Sequence, residues 1–115
     1  MRIGILGGTF DPVHEGHIYL AKKSCAKLRL DKIIFIPSYL PPHKIGVKVT
    51  SPRHRFNMLK LAIKGNKKFR ISDMEIKRRG RSYSVETLRC LRKKYGQKAK
   101  LFFITGSDSL KELDK

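Results

Sequence analysis

Ile3-Gly4-Ile5-Leu6-Gly7-Gly8-Thr9-Phe10-Asp11-Pro12-Val13-His14-Glu15-Gly16-His17 changes character twice in a short space. Ile3–Leu6 reads as a buried strand, Gly7-Gly8-Thr9 as a glycine turn, and the segment with two histidines three residues apart as the start of a helix. That layout brings backbone N–H groups and imidazoles onto a phosphate. Gly7 and Gly8 permit close backbone approach, and Asp11-Pro12 turns the chain toward the helix. With Glu15 opening the helix, Gly16 and His17 fall in its first turn, where the positive end of the helix dipole faces the loop. His14 and His17 then reach the same side, and each can donate a hydrogen bond to a phosphate oxygen. Zinc is the rival use of two histidines. Asp11 is the only well-placed carboxylate nearby, which leaves the ligand set short.

Outward from this stretch, strands and helices alternate. Strand-like runs are expected at Arg2–Leu6, Lys32–Pro37, Lys68–Ser72 and Lys100–Thr105. Helical patterns are expected over Glu15–Leu28 (Ile18, Ala21, Cys25 and Leu28 on one face) and Pro52–Lys64 (Phe56, Leu59 and Ile63). A third runs from Ser84 to Tyr95 and is closed by Gly96. Ser51 before Pro52 suits an N-cap and first-turn pair. Alternation of this kind implies an α/β fold with a mostly parallel sheet and helices on both faces. The continuous apolar runs Ile33–Ile36 and Leu101–Ile104 suit strands covered on both sides. Ligands in such folds collect at the carboxyl ends of the strands. The long basic loop from Tyr39 to Ser51 is a candidate binding loop.

The 115 residues, 40% hydrophobic and 31% charged, suit one globular domain spanning 1–115. No apolar run approaches a membrane span, and the N-terminus leads straight into a strand, so a cytoplasmic protein without a membrane partner is expected. Cys25 and Cys90 are too few for a disulfide framework, and both are expected to be buried thiols. The net charge of +18 raises the question of nucleic acid. The basic residues are spread along nearly the whole chain, and aromatic-studded basic strands are absent, which argues against a specific nucleic-acid surface.

The Gly7–His17 stretch resembles the signature of the nucleotidyltransferase superfamily that carries a (T/H)-x-G-H motif. Within it, the chain is similar to the bacterial nicotinate-nucleotide adenylyltransferases. Four later blocks carry the resemblance onward: Ile36-Pro37-Ser38-Tyr39-Leu40-Pro41-Pro42-His43-Lys44, Arg55 with Met58–Ile63, Arg81-Ser82-Tyr83-Ser84-Val85-Glu86-Thr87-Leu88, and Phe102-Phe103-Ile104-Thr105-Gly106-Ser107-Asp108. The resemblance implies a Rossmann-like nucleotidyltransferase fold. It also implies transfer of AMP from ATP to nicotinate mononucleotide, giving deamido-NAD and pyrophosphate, with Mg²⁺ accompanying the triphosphate. His14, His17 and Lys44 are implied as the catalytic phosphate contacts. Gly8, Thr9 and Phe10 line the same ATP loop, and Gly106 and Asp108 lie at the adenosine. Lys44, Arg55, Tyr83 and Ser84 are implied as substrate-binding positions, with the Tyr83 and Ser84 amides receiving the nicotinate carboxylate.

The resemblance stops after Asp108. The family's tryptophan-bearing segment and its isoleucine-serine-x-threonine-x-isoleucine-arginine motif have no counterpart, so the fold is expected without its C-terminal part. One sheet edge is then expected to be uncovered and to favour self-association. Two alternatives stand beside the enzyme of NAD synthesis. A sister enzyme acting on phosphopantetheine shares the ATP loop but not the Pro41–Lys44 and Ser82–Ser84 blocks. A shortened, non-catalytic module that binds ATP or nucleic acid is the other.

Overall fold

Strand β1 (Arg2–Gly8) alternates its faces so that both are filled. Ile3 and Ile5 point to one side of the sheet and Leu6 to the other, and all three are buried. The computed structural model describes residues 1–39, 50–79 and 85–105. Within them the order is β1, α1 (Glu15–Lys27), β2 (Lys32–Pro37), α2 (Pro52–Ile63), β3 (Phe69–Ile71), α3 (Met74–Arg78), α4 (Val85–Tyr95) and β4 (Lys100–Thr105). The four strands form one parallel sheet in the order β3-β2-β1-β4. β1 therefore lies inside the sheet, with Gly7 opposite Ile36 of β2 and Thr105 of β4. This is the α/β architecture, a parallel sheet with helices on both faces, that the alternation of elements implies.

Helices cover both faces. On one, α1 and α2 bring Leu20, Ala21, Cys25, Leu59 and Ile63 onto Leu6, Ile33, Phe35, Phe69 and Ile104. On the other, Leu91 of α4, with Met74 and Tyr95 packed alongside, meets Ile3, Ile5, Ile34 and Ile36. Each fully buried Leu or Ile contributes about 1.5–3 kcal/mol over its exposed state, so the sheet is held from both sides. Gly4 is a required close approach. A Cβ there would come within 2.6 Å of Leu30 Cδ1, a side chain that is itself 1% exposed.

Three expectations are corrected. Gly7 and Gly8 belong to β1 rather than to a turn, so the strand delivers its backbone two residues further toward the loop. The short helix α3 follows β3, where no periodicity could develop over so few residues. Its Glu75, 1% exposed, is bonded to Arg78 and to the Thr87 hydroxyl of α4, and so ties the two helices together. Cys90 is exposed whereas Cys25 is buried, because Leu91 and not its neighbour occupies the inward stripe of α4. Burial raises the Cys25 thiol pKa, with nearby Lys68 opposing the shift. Among the described residues no helix is long and apolar enough to cross a membrane.

Candidate functional site

At the carboxyl end of β1 the chain leaves Gly8, passes Thr9 and Phe10, turns at Asp11-Pro12 and enters α1 through His14. His14 is the N-cap: its Nδ1 accepts a hydrogen bond from the Gly16 N–H at 3.0 Å. His17 reaches back and its Nδ1 accepts from the His14 N–H, also at 3.0 Å. The pair is thus a capping box built from imidazoles, where the usual residues are Ser or Thr and Glu or Gln. The rings lie together, with centroids 3.8 Å apart and an interplanar angle of 30°.

The cap decides the tautomer. A neutral imidazole has one donor nitrogen and one acceptor, and both Nδ1 atoms are already accepting. Each neutral ring therefore carries its proton on Nε2 and can donate from there. Burial, and then the charge of His14, lower the pKa of His17 from 6.5 to about 4. Near neutral pH His17 is an uncharged donor, not a cation.

Gly16 makes the arrangement possible. A Cβ on it would stand 2.8 Å from His14 Cε1 and 2.9 Å from His14 Nδ1. The His14 ring fills the space that any side chain would need. This explains in contact terms why a glycine sits between the histidines.

Phe10 supports the pair from beneath. It is 2% exposed and meets the His17 ring edge-on at 4.8 Å, with Phe35 of β2 behind it at 6.0 Å. Its backbone is left-handed, φ 50°, a conformation unusual for a bulky residue. Asp11 Oδ2 accepts from the Thr50 N–H at 2.9 Å, which ties the β1–α1 turn to the approach to α2. Ser38, directly after β2, donates its N–H to the Gly8 carbonyl at 2.9 Å. Its hydroxyl is buried, with no hydrogen-bond partner among the described residues.

Arg55 is 1% exposed, and its guanidinium donates to four main-chain carbonyls. Nε bonds Thr50 O at 2.8 Å, Nη1 bonds Thr9 O at 2.8 Å and Ser38 O at 2.7 Å, and Nη2 bonds Tyr39 O at 2.9 Å. Burial lowers its pKa, and the Asp11 carboxylate opposes the shift. The resemblance groups Arg55 with the substrate-binding positions. In the structure its donors are turned to the protein's own backbone, so its effect on a ligand passes through those carbonyls.

The cytidylyltransferase-like family model matches residues 5–115. The chain belongs to the cytidylyltransferase-like family. The match takes in β1 from Ile5 onward, the imidazole-capped start of α1 and all the later elements. A relative, a probable nicotinate-nucleotide adenylyltransferase of Desulfitobacterium hafniense (strain Y51), is 50% identical over 112 residues, which is 97% of this chain and 54% of the relative. One with the same name from Clostridium tetani (strain Massachusetts / E88) is 50% identical over 111 residues, 96% of this chain and 55% of its own length. The chain spans about half the length of the curated relatives it matches. Among solved structures, the nicotinic acid mononucleotide adenylyltransferase of Plasmodium falciparum complexed with NaAD superposes with a TM-score of 0.69 at 20% identity, over 89% of this chain and 50% of that one. That likeness speaks for the fold alone.

Of the residues singled out from sequence, the structure brings together Gly8, Thr9, Phe10, His14 and His17 around the end of β1, with Arg55 beneath them. Lys44, Tyr83, Ser84, Gly106 and Asp108 lie outside the described residues. The structural weight of Gly16 and Arg55 was not anticipated. Arg55 did leave a signal, since Arg55, Leu59 and Ile63 recur every four residues and are the buried residues of α2. A hollow of about 470 Å³ on the outer side of His14 is lined by Val13, Ile18, Tyr19, Lys22 and Ala62. Apart from Val13 and the His14 cap just ahead of α1, its walls come from helix side chains rather than from strand ends.

Proposed function

We propose that this chain carries the ATP-phosphate half of an adenylyltransferase that transfers AMP from ATP to nicotinate mononucleotide, giving deamido-NAD and pyrophosphate. The observation that carries the reading is the pair of Nδ1-capped imidazoles at the carboxyl end of β1, with their Nε2–H groups left to donate. The 45–50% identity to relatives bearing the nicotinate-nucleotide adenylyltransferase name supports the choice of acceptor.

The reaction asks little covalent chemistry of the protein. A phosphate oxygen of nicotinate mononucleotide attacks the α-phosphorus of ATP and a new P–O bond forms. The bond from the α-phosphorus to the bridging oxygen breaks, and pyrophosphate leaves with the electron pair. Catalysis is then positioning plus stabilisation of charge on the leaving phosphates. His14 and His17 donate to those phosphates from Nε2, and the Gly8–Phe10 backbone lies against them. In this reading Lys44 adds a cation, the Tyr83 and Ser84 amides take the nicotinate carboxylate, and Gly106 and Asp108 hold the adenosine. Among the described residues no three His, Cys, Asp or Glu side chains cluster as a protein-held metal ion would require. Mg²⁺ fits this donor set as a companion of the triphosphate, where it would neutralise phosphate charge.

Incubation with ATP, Mg²⁺ and nicotinate mononucleotide tests the reading. Deamido-NAD and pyrophosphate formed in equal amounts, and lost in His14→Ala and His17→Ala, are the expected result. No deamido-NAD and no pyrophosphate under these conditions would overturn it.

A further inference from the structure

We propose that Arg55 is the positioning residue of the phosphate cradle, fixing the Thr9–Phe10 peptide and joining it to both flanks of the loop between β2 and α2. The inference rests on the phosphate-binding reading of the β1–α1 turn and adds to it a residue that makes no contact with the ligand.

Four carbonyls from three separate stretches converge on this one guanidinium: Thr9 after β1, Ser38 and Tyr39 after β2, and Thr50 before α2. Their separation along the chain, 46 residues between Thr9 and Arg55, means that local structure cannot bring them together. A buried cation is costly unless its N–H groups are matched. Here three nitrogens share four acceptors at 2.7–2.9 Å, the range of strong charge-assisted hydrogen bonds. A lysine could not serve, because a single ammonium has neither the planar fork nor the reach to engage all four.

The consequence for the cradle follows from peptide geometry. The only cis peptide among the described residues is Asp11-Pro12, so the Thr9–Phe10 bond is trans. In a planar trans peptide the N–H points opposite to the C=O. With the Thr9 carbonyl drawn onto Arg55, the Phe10 N–H is aimed away from the guanidinium. Phe10, on the other side of that peptide, holds a left-handed backbone at φ 50°. Such a conformation persists only when its surroundings over-determine it. Arg55 grips the peptide from one side, and the Phe10 ring, packed against His17 and Phe35, grips it from the other. The same ring contact carries the effect to His17. A charge buried beneath the loop also acts on a polyanion above it without contact, since screening is weak there.

The test uses Arg55→Lys, which keeps the charge and loses the fork, and Arg55→Met, which loses both, with thermal unfolding as the stability control. MgATP affinity is expected to fall at least tenfold in Arg55→Lys at temperatures where the variant is folded, and further in Arg55→Met. The His17 imidazole titration, followed by NMR without nucleotide, is expected to move up from about 4 in both variants. Folded variants with wild-type MgATP affinity and an unmoved His17 titration would overturn the proposal and leave Arg55 a purely structural residue. If wild-type chain binds no MgATP, the phosphate reading fails, and the His17 titration still decides whether Arg55 positions the loop. If the variants do not fold, the Arg55 Nε–H resonance of the wild-type chain decides. A shift on adding MgATP supports the coupling, and an unchanged resonance in a chain that binds MgATP refutes it.

Discussion

Gly16→Ala is the smallest change that separates the stability of the cradle from its use. The added Cβ would lie 2.8 Å from His14 Cε1 and 2.9 Å from Nδ1, against an ordinary van der Waals contact of 3.4–4 Å. The ring has to swing off the helix start, because its near atoms are ring atoms and not the tip of a flexible chain. Two stability effects then oppose each other. Losing the His14 cap costs about 1 kcal/mol. Replacing glycine by alanine in a helix returns up to about 1 kcal/mol. The melting temperature should therefore hardly move. Binding has no such compensation, since a hydrogen bond to a charged group contributes about 1.5–3 kcal/mol. Loss of one imidazole donor predicts MgATP binding weaker by roughly 10- to 150-fold. Calorimetric titration with MgATP, paired with thermal unfolding of the same samples, reads both quantities. Wild-type affinity at unchanged stability would refute the reasoning that His14 needs the space over Gly16.

His17 is neutral in the folded chain down to about pH 4, whereas an unfolded histidine takes up its proton near 6.5. The unfolded state therefore binds more protons between these values, and stability should fall on acidification from about 6.5 to about 4 while the His17 contribution stays level above 6.5. Denaturant unfolding across that range checks this, and His17→Gln should flatten the profile. Thr87→Val removes a hydroxyl bonded to the buried Glu75 carboxylate and should cost about 1–3 kcal/mol in urea unfolding, with much less effect for substitution of exposed Arg89. A thiol reagent should modify Cys90 in the native chain and reach Cys25 only after denaturation, since one is exposed and the other buried with a raised pKa. Equal native reactivity of the two would contradict the packing of α1 on the sheet.

β2 and β4 were legible to the residue, because each is an unbroken apolar run with polar flanks and needs no periodicity to be seen. The start of α2 was legible for a related reason: an N-cap is a local chemical signal, and Ser51 before Pro52 does cap α2 by accepting from the His54 N–H. Sheet order and the α3 turn were not. Order is set by which strands share helices across the faces, and α3 is too short to show a period. The site was half legible. Two histidines flanking a glycine announce a phosphate loop, but only coordinates show that the histidines cap their own helix and thereby select their tautomers. Arg55 hides because a charged residue on an apolar stripe reads as an exposed edge until its four carbonyl partners, drawn from distant stretches, are placed around it.

The central claim is that His14 and His17 meet the triphosphate as Nε2–H donors. Imidazole ¹⁵N spectra of the chain, recorded near pH 7 with and without MgATP, test it most directly. The account predicts that both rings show Nδ1 as the bare, accepting nitrogen and Nε2 as the protonated one in the free chain, and that MgATP shifts the two Nε2–H signals while leaving that assignment unchanged. Rings protonated on Nδ1, or Nε2 signals that saturating MgATP does not move, would contradict it.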